Sequence, residues 1–202
     1  VCPMLPPLIL ASGSEIRRTL LSRAGLEFGV ETARVDEATL RDALEAEGES
    51  PRNIADALAE AKALRVSARI PGCLVIGADQ TLDLEGATLS KAETEDAAAH
   101  QLTRLSGRQH SLHSAAVVAE GGRPVWRHVS SARLTMRPLS AGFIEDYLRR
   151  NWISVRTSVG CYKIEEEGPR LFSRIDGSHF AILGLPLLEL LSYLTERGYI
   201  ET

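Results

Sequence analysis

Aromatic and sulfur-bearing residues are scarce in this chain of 202 residues: four Phe, four Tyr, two Trp, three Cys and two Met. Cys2, Cys73 and Cys161 are far apart, odd in number and never in C-x-x-C spacing, which argues against a disulfide framework or a zinc site. They read as reduced thiols packed as small apolar groups in a cytoplasmic protein. Positive charge is also short. The 23 Lys and Arg face 27 Asp and Glu, for a formal net charge of −4. No global field attracts nucleic acid, so any phosphate recognition must be local. No apolar run approaches the roughly 20 residues of a membrane span. The opening VCPMLPP has neither a basic segment nor a small-residue cleavage site, so no secretory signal is expected. The chain opens on Val1, and either an unusual start codon or a start nearer Met4 is expected. The P-loop pattern, G-x-G-x-x-G and the G-x-S-x-G elbow are all missing, which leaves serine-hydrolase chemistry unsupported. There is no internal repeat, low-complexity run or linker.

What is present is an alternation of short apolar runs and amphipathic stretches. With 44% hydrophobic residues, the chain can bury one sizeable core, and residues 1–202 read as a single domain. LILA predicts a buried strand, followed by a helix with Ser14 as cap and Ile16, Leu20 and Ala24 on its apolar face. LEFGVET predicts a second strand, and ARVDEATLRDALEAEGES a polar, partly helical stretch. Pro51 opens a helix whose apolar face is read as Ile54, Leu58, Ala61 and Leu64. CLVIGADQTLDL is a strong strand ended by Glu85-Gly86. Another helix, ETEDAAAHQLTRL, stops at Gly107. HSLHSAAVVAE and PVWRHVSSARLTM form a hairpin about Gly121-Gly122. Ser140 and Pro186 open the last two helices, separated by an extended segment with turns. The sum is an α/β fold with a twisted central sheet of mixed direction, flanked by helices.

Three groups of residues carry chemistry. In SGSEIRR, Ser12 and Ser14 lie at a helix N-terminus, where unpaired N–H groups favour anions. Gly13 lets a ligand approach the backbone. Arg17 and Arg18 can bind phosphate oxygens bidentately, although as cations in a first turn they oppose the helix dipole. On that argument their removal costs little folding energy. The alternative reading is two solvated arginines. The second group is VIGADQTL, where an apolar strand delivers Asp79 at its end, able to ligate Mg²⁺ or deprotonate a water. Lys91, after a hairpin-like bend, can point back toward it and stabilise a leaving group. The third group is acidic: Asp36-Glu37 in a polar loop and Glu165 in YKIEEEG, able to join Asp79 around a divalent ion. His110 and His113 fall in a strand pattern and read as structural.

The order and spacing of these motifs resemble the Maf/HAM-type nucleoside triphosphate pyrophosphatases over nearly the whole chain. LILASGSEIRRTLLSRAGLEF resembles that family's opening. VDE places its glutamate on Glu37, LAEAKA its lysine on Lys62, VIGADQ its catalytic aspartate on Asp79, and LSKA keeps Lys91. LTRLSGRQHSLHSAAVV and RIDGSHFAILGLPLLELLSYL resemble its later segments. The resemblance implies two lobes with a cleft between them. It also implies hydrolysis of a nucleoside triphosphate to a monophosphate and pyrophosphate with Mg²⁺ or Mn²⁺, and a homodimer. Ser12, Ser14, Arg17 and Arg18 would hold the triphosphate. Glu37, Asp79 and Glu165 would place metal and water, with Asp79 as general base and Glu37 and Asp79 as metal ligands. Lys62 and Lys91 would neutralise the leaving pyrophosphate. Three positions, Ile16, Gln80 and Glu165, bear on the base, and Gln80 with Glu165 is the combination of the 7-methyl-GTP branch rather than the dTTP/UTP branch. Ser90 and Ala92 replace a glycine and a proline around Lys91, implying a less rigid loop. Glu15 replaces a proline and Ala181 an asparagine. The competing reading is a nucleotide-binding regulatory protein whose catalysis has decayed.

Overall fold

The computed structural model describes residues 5–201, so Cys2 and Met4 lie outside the described residues. In chain order the elements are β1 (Leu8–Leu10), α1 (Glu15–Arg23), β2 (Gly29–Val30), α2 (Glu37–Ala46), α3 (Pro51–Arg69), β3 (Leu74–Leu84), β4 (Ala87–Leu89), α4 (Glu95–Leu105), β5 (Gln109–Glu120), β6 (Arg123–Met136), α5 (Ala141–Val155), β7 (Phe172–Asp176), α6 (His179–Leu183) and α7 (Leu187–Glu196). They form an α/β fold on one seven-stranded mixed sheet of order β2-β1-β3-β5-β6-β7, with β4 on the outer edge of β3. β1 runs parallel to β2 and β3, and every other pairing is antiparallel. No helix of the described residues is long and apolar enough to cross a membrane.

β3 and β5 are long enough to pass through both lobes. At one end Leu74, Ile76 and Ala78 of β3 and Ala116 and Val118 of β5 pack with Leu20 and Leu21 of α1 and Leu190 and Leu194 of α7. At the other end Leu82, Leu84 and Leu112 pack with Leu102 of α4 and Ile144, Tyr147 and Leu148 of α5. Between the two cores the same strands carry buried polar residues: Asp79, Thr81, His113 and Ser114. A polar waist between two apolar cores is where a cleft can open without exposing hydrophobic surface.

Small residues set how closely α3 lies on the sheet. A Cβ added at Gly77 would stand 2.2 Å from the Ala59 carbonyl oxygen and 2.6 Å from the Ala63 nitrogen. The buried stripe of α3 is therefore Ile54, Ala55, Leu58, Ala59, Lys62, Ala63 and Val66. Ala61 and Leu64, expected on that face, are only half-buried. Pro51 in the first turn opens α3, as the sequence predicts, and Ser50 caps it.

Several expectations are corrected. The strand predicted in LEFGVET shrinks to Gly29–Val30, paired with Ile9 and Leu10. Asp79 is not at a strand end, because pairing with β5 carries β3 on from Leu74 to Asp83 and beyond. Glu37 is not in a loop but is the first residue of α2, capped by Asp36. β4 and α6 were not anticipated. Of the three cysteines, Cys73 and Cys161 are buried free thiols, and burial pushes the Cys161 thiol up to about 11.

Candidate active site

β3 pairs with β1 no further than Ile76 and with β4 only from Leu82. Residues 77–81 thus have no strand neighbour on that edge. The Ala11 N–H still donates to the Ile76 carbonyl at 2.8 Å. One step along, Arg17 replaces the missing strand: its Nη1 donates to the Ala78 carbonyl and to Ser12 Oγ, both at 3.1 Å, and its Nε donates to the Gly184 carbonyl at 2.8 Å. Arg17 is 9% exposed. Burial lowers its pKa from the ordinary arginine value, while Asp79 and Glu37 push it back up. Arg18 is exposed, and its side chain has no hydrogen-bond or ion-pair partner among the described residues. The two arginines, alike in sequence, occupy different environments.

Side chains alternate along a strand, so Gly77, Asp79 and Thr81 share the face covered by α3. Thr81 Oγ1 donates to the Pro51 carbonyl at 2.7 Å. The close packing at Gly77 brings Lys62 over Asp79, with Nζ 2.7 Å from Asp79 Oδ1 and 3.0 Å from Glu37 Oε1. Lys62 and Asp79 have side chains 9% exposed, whereas that of Glu37 is 43% exposed at the cleft mouth. Asp79 Oδ2 is buried without any hydrogen-bond partner. A carboxylate oxygen left unsatisfied inside a protein costs about 1–3 kcal/mol or more. Such an atom is retained where a ligand completes it.

Lys91 completes the group. Its residue surface is largely exposed, yet the surrounding cleft atoms desolvate the ammonium and lower its pKa. Arg17 and Lys62 act in the same direction, and Glu37 and Asp79 oppose them. Three cations and two carboxylates therefore sit within electrostatic reach of one another. Above them, Ser14 caps α1 by accepting the Arg17 N–H at 3.5 Å, and Ser12 Oγ accepts the Ser14 N–H at 3.3 Å. A Cβ at Gly13 would meet nothing within 4 Å, so the turn faces open space. Asp36, exposed, has its pKa lowered by the Thr39 backbone N–H and caps α2.

Residues 7–197 match the family model described as Maf-like protein. The chain belongs to the Maf-like protein family. A relative named nucleoside triphosphate pyrophosphatase, from Ruegeria sp. (strain TM1040), is 55% identical over 194 residues, covering 96% of this chain and 98% of the relative. One named 7-methyl-GTP pyrophosphatase, from Rhizobium meliloti (strain 1021), is 51% identical over 198 residues, covering 98% and 100%. Among solved structures, a HAM1 protein from Coxiella burnetii superposes with a TM-score of 0.50 at 15% identity, covering 96% of this chain and 100% of that one. That likeness is one of fold.

In the Maf-like chain the residues suggested for base selection stand apart from the charged group. Gln80 projects from the opposite face of β3 to Asp79. Its Nε2 is within 3.0 Å of Ser114 Oγ and of the Ala181 and Ile182 carbonyls. Ser114 Oγ donates to the Ala181 carbonyl at 2.6 Å. Ile16 is half-buried on α1, and Glu165 is exposed in the turn before β7. Its neighbours are engaged: Glu166 accepts from Ser154, and Glu167 from Arg150, Asn151 and Arg170. Among the described residues no group of three His, Cys, Asp or Glu side chains converges as a metal site. Glu165 therefore does not complete the three-acid set expected from sequence. Two carboxylates remain, Asp79 with its unpartnered oxygen and half-exposed Glu37. That donor set fits Mg²⁺ or Mn²⁺ sharing its coordination with substrate phosphates, because small hard cations are commonly held by one or two carboxylates plus phosphate oxygens.

Sequence reasoning missed Ser114, Gly184 and Arg41, the last of which donates from Nη1 to Ser90 Oγ at 3.1 Å. Only Gly77 opposite the alanines of α3 offered a signal, as a small-residue pair that lets a helix approach. His110 and His113 are structural, as expected. His113 bonds Ser131 and Asp83, and His110 bonds Tyr162.

Proposed function

We propose that this chain hydrolyses a nucleoside triphosphate to the monophosphate and pyrophosphate. The observation that carries the reading is Asp79: a buried carboxylate with one oxygen fixed by Lys62 and the other unpartnered, beside a cationic turn open to solvent at Gly13. In this reading Asp79 Oδ2 accepts the proton of the attacking water. Lys62 fixes the rotamer that presents that oxygen. Lys91 and Arg18 meet the negative charge that builds on the pyrophosphate, and the α1 N-terminus with the Ser12 and Ser14 hydroxyls orients the phosphate chain. A Mg²⁺ or Mn²⁺ ion on Asp79 and Glu37 would supply further neutralisation of phosphate charge. Two relatives near 50% identity carry the name 7-methyl-GTP pyrophosphatase, and Glu165 and Gln80 suit a purine. An unpaired carboxylate accepts from guanine N1–H and N2–H₂, and the cationic ring of the 7-methylated base favours an acidic neighbour. We therefore take 7-methyl-GTP as the preferred substrate. A cytoplasmic homodimer goes with this reading, supported by the family resemblance and by the reduced buried thiols Cys73 and Cys161.

The test is a panel of triphosphates, including 7-methyl-GTP, GTP, dTTP and UTP, with Mg²⁺ or Mn²⁺. Stoichiometric monophosphate and pyrophosphate are expected, with the highest kcat/KM for 7-methyl-GTP. Changing Glu165→Gln together with Gln80→Thr should move preference toward dTTP or UTP. Tight binding without turnover would establish the regulatory reading instead. A higher kcat/KM for dTTP than for 7-methyl-GTP would overturn the substrate assignment. Sedimentation at several concentrations tests the dimer.

A further inference from the structure

The loop that carries Lys91 has serine and alanine where the family resemblance leads one to expect glycine and proline, and sequence alone reads it as slack. Its geometry is otherwise. Arg41 Nη1 donates to Ser90 Oγ at 3.1 Å, and Gln101 Nε2 donates to the Ser90 carbonyl at 2.8 Å. Ala92 on the other side is buried in the core cluster that contains Ala98 and Leu102 of α4. The residues flanking Lys91 are therefore pinned on both sides.

Arg41 follows Glu37 by four residues, so the two share one face of α2. That helix has no fully buried residue. Its polar tethers to the cleft are Glu37 to Lys62 on one side and Arg41 to Ser90 on the other. Arg41 Nε is itself buried without a partner. A guanidinium already stripped of water at one nitrogen gains more from a hydroxyl acceptor than a fully solvated one does.

We infer that Arg41 is a positioning residue, setting the place of Lys91 through the Ser90 hydroxyl. The inference rests on the reading of Lys91 as the group that meets the leaving pyrophosphate. The helix that supplies Glu37 then also fixes the cation across the cleft, and the two sides of the site are held in register by one exposed strap.

The experiment measures kcat, KM and Tm for pyrophosphate release from 7-methyl-GTP with Mg²⁺ in Lys91→Ala, Arg41→Ala, Ser90→Ala, Ser90→Thr and the double variant Arg41→Ala/Ser90→Ala. Displacing a catalytic group by about 1 Å costs up to about 100-fold, so Arg41→Ala and Ser90→Ala are each expected to lower kcat about tenfold with KM within about twofold. The double variant should be no slower than either single one, because both break the same contact. Ser90→Thr, which keeps the hydroxyl, should retain wild-type kcat, and Tm should barely move in any of them. Single variants with wild-type kcat, or a double variant whose losses multiply, would overturn the inference while leaving Lys91 in place if Lys91→Ala is inactive. A Lys91→Ala protein with wild-type kcat would overturn the role of Lys91 and the inference with it.

Discussion

Replacing Arg17 by alanine separates two accounts of the arginine pair. A helix-dipole argument treats Arg17 and Arg18 alike and expects little stability from either. In the structure Arg17 donates to Ser12 Oγ, the Ala78 carbonyl and the Gly184 carbonyl, tying α1 to β3 and to the turn between α6 and α7. Arg17→Ala leaves two buried carbonyls without those donors, at about 1–3 kcal/mol each. Removing a desolvated guanidinium recovers part of that cost, so a net loss of about 3 kcal/mol is expected. For a chain of this size each kcal/mol moves Tm by about 2–4 °C, which gives a drop of about 6–12 °C. Arg18→Ala touches only an exposed side chain, where changes stay within about 0.5 kcal/mol, so its Tm should match wild type while KM for the triphosphate rises. Differential scanning calorimetry alongside steady-state kinetics measures both. Equal Tm values for the two single variants would refute the assignment of Arg17 as a cross-brace.

Asp79→Asn keeps the size of the side chain but leaves buried Lys62 with Glu37 as its remaining counter-ion, so Tm should fall while turnover falls about 10²- to 10⁴-fold; a folded variant with more than about half the wild-type rate would remove Asp79 as the base. Gly77→Ala forces a methyl against the backbone of α3 at Ala59 and Ala63, with an expected loss of about 1–3 kcal/mol or more and a fall in turnover, because Lys62 moves with α3. An unchanged urea midpoint would show that the helix gives way freely. Burial lowers His110 from 6.5 to about 4, so the unfolded chain binds a proton that the folded chain refuses. Its contribution to stability is whole above pH 6.5 and declines by about 3 kcal/mol as pH falls toward 4. His110→Asn should flatten that part of the stability–pH curve, and a slope identical to wild type would show that the ring charges freely in the fold.

Local signals made much of the fold legible. Ser14 and Ser140 cap the helices they precede, as expected, since a hydroxyl one residue before a periodic run satisfies free N–H groups; Ser50 and Thr94 do the same without having been singled out. The Gly121-Gly122 turn and its two flanking strands follow from alternation. The errors come from tertiary packing. On α3 the large apolar residues suggested a face through Ala61 and Leu64, but the helix turns its alanines inward because Gly77 admits them, and this buries Lys62. On α1 the buried residues are Arg17, Leu20 and Leu21 rather than Ile16 and Ala24, because the unpaired Ala78 and Gly184 carbonyls need a donor there. Asp79 read as a strand end because polar Gln80 and Thr81 follow it, yet each has a buried acceptor across the waist. A single sequence does not display acceptors contributed from 30 to 102 residues away.

The mid-strand position of Asp79 bears directly on the substrate selection proposed above. Adjacent side chains on a strand face opposite sides of a sheet, so in an unbroken sheet Asp79 and Gln80 would never touch one ligand. Here β3 lacks a strand neighbour on its β1/β4 edge over residues 77–81, where Arg17 bonds the Ala78 carbonyl, and in the proposed reading the substrate would lie beside that open edge. In that reading it would meet Asp79, Lys62 and Glu37 on the α3 side and Gln80 on the α6 side at once. Gln80 is suited to the second task because Ser114 and the two α6 carbonyls hold its amide nitrogen, which fixes the direction of Oε1. A change at α6 that released those carbonyls would therefore alter base preference without touching the chemistry at Asp79. In the proposed reading the open edge would let one strand serve both tasks with consecutive residues, and the polar waist between the two apolar cores is where that edge lies.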